Sequence, residues 1–464
     1  MLILALTITL FDAVFADGGA PAYVEFADGS APAEDITPDE SRAANASAQD
    51  AGGGAGVGAR IAFTGDLMVH SAQLSAAYSA EGGGYDFSSC FDSISPYLKS
   101  TDYAVGNLET TLSGGAAGYS GYPAFNAPDS FAEALKSAGF DFMSTANNHA
   151  NDGGEAGILR TIETLDSIGL DHAGTYASPR EQERIFIKTI NDINVAFLAY
   201  TYSYNRAPLA KGKTYMLNVI GVDLMRRQIE KARRQGADIV IVTPHMGDEY
   251  QEWTARTYRR LAKKLCKYGA DAVIFSHPHV LQPVDIFKVT DADGYVRTCF
   301  CAYSTGNFIS SQRATPRDAG AIFYLEFGRR KSECNDGPGD NDGPGDAAAR
   351  EAGDNDEPGD AAAREASGDE PSDESDIRVI LTKISFAPTW VQFYGSDGRP
   401  DIRVLHISDT LRAISAGEET NLRDEDVARL REAYSETLNK IIPDVQNPIE
   451  ERGAFIIYES QLAI

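Results

Sequence analysis

Ser144-Thr145-Ala146-Asn147-Asn148-His149-Ala150-Asn151-Asp152 is the stretch on which the reading of this chain turns. Ahead of it, Gly139-Phe140-Asp141-Phe142-Met143 is short and apolar, in the manner of a buried strand. Behind it, Gly153-Gly154 opens residues 155–168, where Ile158, Ile162, Leu165 and Ile168 recur at helical spacing. An Asn-Asn-His tripeptide therefore falls at the carboxyl end of a strand, just before a helix. In open α/β sheets that edge is where ligands bind. Two readings stand at this point. An Asn amide oxygen and a neutral imidazole are both metal-ligand groups. Alternatively, the Asn residues cap the helix and the His is a satisfied loop residue.

The same punctuation recurs outward in both directions. Arg60-Ile61-Ala62-Phe63-Thr64 reads as a strand and runs into Gly65-Asp66-Leu67-Met68. Tyr103-Ala104-Val105-Gly106 is the next strand and ends in Asn107-Leu108-Glu109. Residues 131–138 read as a helix, and 185–189 with 195–199 as a β pair around Asn191-Asp192. An amphipathic helix over 222–235 precedes a buried strand over 238–243, which ends in Pro244-His245-Met246-Gly247. A helix over 255–268 precedes a strand over 271–276 that ends in His277-Pro278-His279. Strand 298–304 ends in Thr305-Gly306-Asn307-Phe308, and 321–327 is a further strand. Past residue 376, segments 377–381, 387–393 and 402–407 are strand-like and 421–441 has helical spacing. Strands alternating with helices imply an α/β sheet, and the later β segments imply that part of it is mixed.

The chain has seven histidines, and His149, His245, His277 and His279 all lie just beyond the carboxyl ends of predicted strands. Asp66 and Glu109 lie beyond two more. Strand ends in one sheet converge, so these groups and Asn148 can share a site. Mixed oxygen and nitrogen donors suit zinc, manganese or iron rather than calcium. Bound metals activate water near neutral pH and stabilise developing oxyanions. The bland alternative, a structural metal, usually closes with four Cys or His ligands. His70, four residues after Asp66, is either a further ligand or a capping residue; His172 and His406 are read as structural.

Composition bounds the rest. The chain has 464 residues, 43% hydrophobic and 9% aromatic, ample for a large core. A net charge of −27 argues against nucleic acid or an anionic membrane as a bulk electrostatic partner. About half of that charge sits in residues 333–376, where sixteen acidic residues face two basic ones. There Asn335-Asp336-Gly337-Pro338-Gly339-Asp340 repeats at once, and Ala347-Ala348-Ala349-Arg350-Glu351-Ala352 returns at 361–366. So few apolar side chains cannot offset the entropy of ordering, and 331–376 reads as a disordered acidic insertion. Its Asp-x-x-Gly repeats leave calcium binding open beside a plain solvated spacer. Residues 17–58 read as a disordered linker. Residues 2–11 form an apolar run, and Ala13-Val14-Phe15-Ala16 resembles a small-residue cleavage site, although no Lys or Arg precedes it. We read 1–16 as a weak or truncated export signal and expect an extracytoplasmic protein. Five cysteines are too few for a disulfide framework. Cys299 and Cys301 share one side of a strand, either as a metal or disulfide pair or as a plain strand pair. Cys334 falls in the insertion.

Taken together, Gly65-Asp66-Leu67-Met68, Gly106-Asn107-Leu108-Glu109, Ala146-Asn147-Asn148-His149, Pro244-His245-Met246-Gly247-Asp248-Glu249-Tyr250, His277-Pro278-His279-Val280-Leu281-Gln282 and Ser304-Thr305-Gly306-Asn307-Phe308 resemble the successive motifs of the CapA capsule-synthesis proteins. Those belong to the calcineurin-like metallophosphoesterase superfamily. The order and spacing fit over about residues 60–328, and Pro388-Thr389-Trp390-Val391 resembles the closing segment. The resemblance implies a four-layer α/β/β/α sandwich spanning 59–330 and closed by strands from 377–464. It implies one or two divalent ions (Mn, Fe or Zn) held by Asp66, Glu109, Asn148, His245, His277 and His279, with His149 as general acid. It further implies a role in making or anchoring poly-γ-glutamate, with that polymer or a phosphoester as substrate, beside a membrane-bound ligase. The alternative is a non-enzymatic assembly or polymer-binding factor on the same fold. Two positions depart from the pattern. The superfamily's Asp-x-His is here Asp66-Leu67-Met68, which puts a two-metal centre in doubt, and Met246 stands where the family usually has Trp.

Overall fold

A computed structural model describes residues 58–79, 82–206, 208–331, 377–443, 448–451 and 453–459. The export signal, most of the linker and nearly all of the acidic insertion, with Cys334, lie outside the described residues. Strands β1 (Ala59–Leu67), β2 (Tyr78–Ser79), β3 (Gly84–Tyr85), β4 (Tyr103–Leu108), β5 (Phe142–Ser144) and β6 (Asp171–Ala173) alternate with helices α1 (Ser71–Ala77), α2 (Ser95–Lys99), α3 (Asp129–Ala138) and α4 (Gly154–Ile168). After α5 (Pro179–Glu183) come β7 (Phe186–Ile190), β8 (Ile193–Thr201), α6 (Val222–Arg234), β9 (Ile239–His245), α7 (Arg256–Tyr268), β10 (Ala272–Ile274), β11 (Val284–Thr290) and β12 (Val296–Ala302). The chain closes with β13 (Asn307–Ile309), β14 (Ala319–Lys331), β15 (Ile377–Tyr394), β16 (Pro400–His406), α8 (Ile407–Ser415), α9 (Asp424–Ile441), β17 (Glu450–Glu451) and β18 (Ala454–Glu459).

These strands make two facing sheets. One runs β17-β18-β15-β14-β1-β4-β5-β6, with β13 against β1 and β16 against β15; the other runs β11-β12-β10-β9-β8-β7. Each contains a parallel run, β1-β4-β5-β6 and β8-β9-β10-β12 respectively, flanked by antiparallel strands. The two-residue alternation of side chains sorts the core. Phe63, Val105, Phe142, Phe197, Ile241 and Phe300 point between the sheets into one cluster. Their neighbours Ala62, Ala104 and Met143 face outward to Phe131 and Leu135 of α3 and Leu165 of α4. On the other side, Val240 and Val242 of β9 meet Met225 and Ile229 of α6 and Leu261 and Leu265 of α7. The result is the expected four-layer α/β/β/α sandwich.

Several local readings are refined. Asn191 and Asp192 take positive φ of 47° and 63°, which closes the tight β7–β8 hairpin. Segments 377–381 and 387–393 are one continuous strand, β15. The proline at 388 does not break it: β18 pairs β15 as far as Phe386 and β16 only from Thr389, so Pro388 sits in the gap between them. No ladder on that side needs its missing N–H. Lys331 pairs with Ile377, so the insertion leaves and re-enters at the tip of a β hairpin. Cys299 is not part of a plain strand pair with Cys301; it forms a disulfide with Cys266 of α7. Cys301 is free, and its Sγ lies 3.6 Å from Cys266 Sγ. Among the described residues, no helix is long and apolar enough to cross a membrane.

Candidate metal centre

The parallel runs of both sheets deliver their carboxyl ends to one edge. β1 and the segment after β12 meet there so closely that a Cβ on Gly65 would lie 2.0 Å from the Gly306 carbonyl oxygen. Glycine is thus required where Asp66 N donates to Gly306 O at 3.0 Å. Asp66, Glu109, Asn148, His149, His245, His277 and His279 are all buried at this edge, the first two and His245 completely. His277 and His279 hold positive φ of 106° and 58°, costly for non-glycine residues and found chiefly where function demands a set direction.

Asn147 and Asn148 do not cap α4, whose N-cap is Gly153. Asn147 Nδ2 instead donates to Leu108 O at 2.7 Å, tying the loop to the neighbouring strand. Asn148 Oδ1 lies 2.9 Å from His245 Nε2. That same nitrogen is 3.5 Å from Glu109 Oε1, which is 3.8 Å from His279 Nε2. Asp66 Oδ2 is 3.0 Å from His279 Nδ1. At this edge three groups have ligand atoms mutually within 4.8 Å: Glu109, His245 and His277; Asp66, Glu109 and His279; and Glu249, His277 and His279. Glu109 joins the first two groups, and His277 and His279 each belong to two. Glu109 Oε1 and His277 Nδ1 are buried without a hydrogen-bond partner, and Asp66 Oδ2 meets His279 Nδ1 at 3.0 Å. Buried lone pairs are rarely left unmet, and carboxylates and imidazoles gathered in threes are what a cation would satisfy.

The electrostatics fit that chemistry. Burial and then the Asp66 carboxylate push the Glu109 carboxyl well above its usual range. Burial and the neighbouring imidazoles hold His245 and His277 well below theirs, so both are neutral donors near pH 7. Burial alone would lower His279, but contact with the Asp66 carboxylate outweighs it and the net shift is upward.

His149 belongs to none of the three groups. Its Nδ1 lies 2.7 Å from Asp152 Oδ2, its Nε2 lies 3.2 Å from Asn205 Nδ2, and its ring packs edge-on against Phe125. His70 is the N-cap residue of α1, and its Nδ1 accepts from Ser311 N at 3.3 Å; it too is outside the groups. His172 pairs with Asp166, and His406 stacks on Tyr97. Three participants escaped the sequence reading. Glu249 is an exposed member of the third group. Asn107 Nδ2 lies 2.8 Å from Asp66 Oδ1, 3.4 Å from Glu109 Oε2 and 3.2 Å from His245 Nδ1, bracing three candidate ligands. Asp152 orients His149. Each stands inside or beside a quoted motif, which was the available signal.

Residues 60–312 match the family described as "Bacterial capsule synthesis protein PGA_cap". The chain belongs to that family. It is 30% identical over 274 residues to the capsule biosynthesis protein CapA of Bacillus anthracis, covering 57% of this chain and 63% of that one. It is 28% identical over 240 residues to the PGA biosynthesis protein CapA of Bacillus subtilis strain 168, covering 51% and 60%. This family member thus spans less than two thirds of the length of either relative. Among solved structures it resembles the calcineurin-like phosphoesterase YfkN from Bacillus subtilis at 15% identity and a TM-score of 0.28, covering 58% of this chain and 85% of that one.

Proposed function

We propose that this PGA_cap family member is an extracytoplasmic, metal-dependent hydrolase of the metallophosphoesterase type that serves capsule polymer synthesis. The observation that carries the reading is that Glu109 gathers with His245 and His277 and again with Asp66 and His279, with ligand atoms within 4.8 Å of one another in each group, all of them buried at one sheet edge. Asp66, Glu109, Asn148, His245, His277 and His279 would hold one or two ions, and their mixed O/N character favours manganese, iron or zinc. Such an ion would supply Lewis-acid polarisation of a substrate oxygen. His149 would pass a proton to the leaving oxygen, with Asp152 fixing the ring through Nδ1. Asn107 would keep the carboxylates and His245 in register. The substrate class is an anionic polymer, poly-γ-glutamate, or a phosphoester; a membrane-bound ligase is the proposed partner. The Cys266–Cys299 disulfide supports export, because such bonds persist mainly in oxidising compartments.

A second reading, a polymer-binding assembly factor without turnover, draws on Met68, which supplies no nitrogen where the superfamily has a histidine. Metal analysis of the purified protein, followed by a generic phosphodiester assay with manganese, separates the two. Stoichiometric metal with turnover supports the hydrolase. Bound metal without turnover supports the assembly factor, and absence of metal removes the hydrolase.

A further inference from the structure

The loop over 310–318 is fastened to the centre just described. Asn307 Nδ2 donates to Arg317 O at 2.9 Å, while Asn307 Oδ1 lies 3.1 Å from His279 Nδ1. Two arginines on this loop are held in an unusual way. The Arg317 guanidinium lies 3.5 Å from the centroid of the Tyr250 ring, and that ring lies 6.0 Å from His279. The Arg313 guanidinium packs against Phe393 at 5.0 Å and Tyr394 at 4.7 Å, and its Nη1 donates to Tyr394 Oη at 2.9 Å. Among the described residues, neither has a carboxylate within 4.0 Å. Arg160, Arg233, Arg297 and Arg429 all do, as expected in a chain of net charge −27. Aromatic faces therefore position both cations without neutralising them, Arg317 on the Tyr250 ring near His279 and Arg313 four residues earlier on the same loop.

We propose that Arg317 and Arg313 form an oxyanion-binding ledge that takes successive carboxylates of an anionic polymer and leads it across the metal centre. This rests on the proposed function and adds the recognition element. Guanidinium forks pair bidentately with carboxylates. A turn closed by Arg317 N donating to Ala314 O at 2.8 Å lies between the two. A polymer with repeating carboxylates offers a separate carboxylate to each. Tyr250 and Trp253, 38% and 58% exposed, offer apolar faces for the uncharged stretches between charges.

The test uses the full chain and a labelled γ-linked glutamate oligomer, read by fluorescence anisotropy. A glutamine oligomer of equal length and inorganic polyphosphate serve as controls, and metal content is measured in parallel. Arg317→Ala and Arg313→Ala are each expected to weaken oligomer binding by roughly tenfold at unchanged metal content, the weight of one charge-assisted pair. Arg317→Lys should retain part of the binding, since charge survives and the fork does not. The glutamine oligomer should not bind. Absence of wild-type binding overturns the proposal, and so does wild-type affinity in both alanine variants. Polyphosphate binding as tightly as the oligomer, with equal losses in the variants, overturns the carboxylate assignment. Metal-free protein that still binds the oligomer through the arginines would refute the proposed function and leave the ledge standing.

Discussion

Glu109→Gln is the most discriminating single change. The substitution keeps shape and volume and removes only the charge at Oε1, the atom 3.5 Å from His245 Nε2 and 3.8 Å from His279 Nε2. Two effects of opposite sign follow. In metal-free protein the Glu109 carboxyl is held well above its usual range by burial and then by Asp66. The unfolded chain releases that proton near pH 4.5, while the folded chain retains it to higher pH. The folded state therefore binds more protons in that window, and the apoprotein loses stability as pH rises through it. Gln mimics the neutral acid, so the variant should lack this loss and be at least as stable as wild type at neutral pH. With metal the order reverses. A ligand at 100 times its Kd stabilises by about 2.7 kcal/mol. If losing the shared carboxylate weakens binding by about 100-fold, as even a supporting residue can, the same metal concentration leaves only about 0.4 kcal/mol. At roughly 1–2 °C per kcal/mol for a domain this large, a metal-induced rise of about 3–5 °C shrinks below about 1 °C. Differential scanning fluorimetry with chelator and then with manganese or zinc reads both effects. A full metal-induced rise in Glu109→Gln, or an apoprotein destabilised by several degrees, would refute the assignment.

His279→Ala should lower bound metal strongly, because two of the three groups lose a member. His149→Ala should leave metal nearly unchanged and cut turnover by roughly 10²–10⁴-fold; equal metal loss in both variants, measured by elemental analysis, ends the acid assignment. Because Lys331 pairs directly with Ile377, replacing residues 332–376 by a short Gly/Ser bridge should shift the melting temperature by only a few degrees, and loss of soluble expression or of metal argues otherwise. Burial and then Arg412 lower His406 to about 4. Below pH 6.5 the unfolded state takes up the proton first, so stability should fall between pH 6.5 and 4. His406→Asn should flatten that fall by up to about 3 kcal/mol in urea melts across the range, and an unchanged pH slope contradicts it.

The legible part of this molecule was the edge of its sheets. A strand that must be buried on both faces reads as a short apolar run. Polar residues at or just past its carboxyl end break that run, so Asp66, Glu109, His149, His245, His277 and His279 stood out by position. Hairpin and cap signals such as Asn191-Asp192 were local and equally plain. What depended on distant neighbours was not. Continuity of β15 through Pro388 depends on where β16 and β18 stop. The Cys266–Cys299 bond joins residues 33 apart on a helix and a strand. Asn107 stands in a visible motif inside β4, yet which groups its amide meets depends on how the strands of both sheets come together.

The departure at Met68 can be weighed against this geometry. A missing histidine ought to leave one ion short of a ligand. Yet Asp66, Glu109 and His279 gather without any contribution from position 68, and Glu249 adds a carboxylate beside His277 and His279. Glu249 lies on the same loop as Tyr250, the platform for Arg317. A ligand atom absent at the strand end is thus answered by a carboxylate from the loop that also carries Tyr250. A cation held by Glu249, His277 and His279 would sit on the loop that carries Tyr250, whereas one held by Glu109, His245 and His277 would be buried.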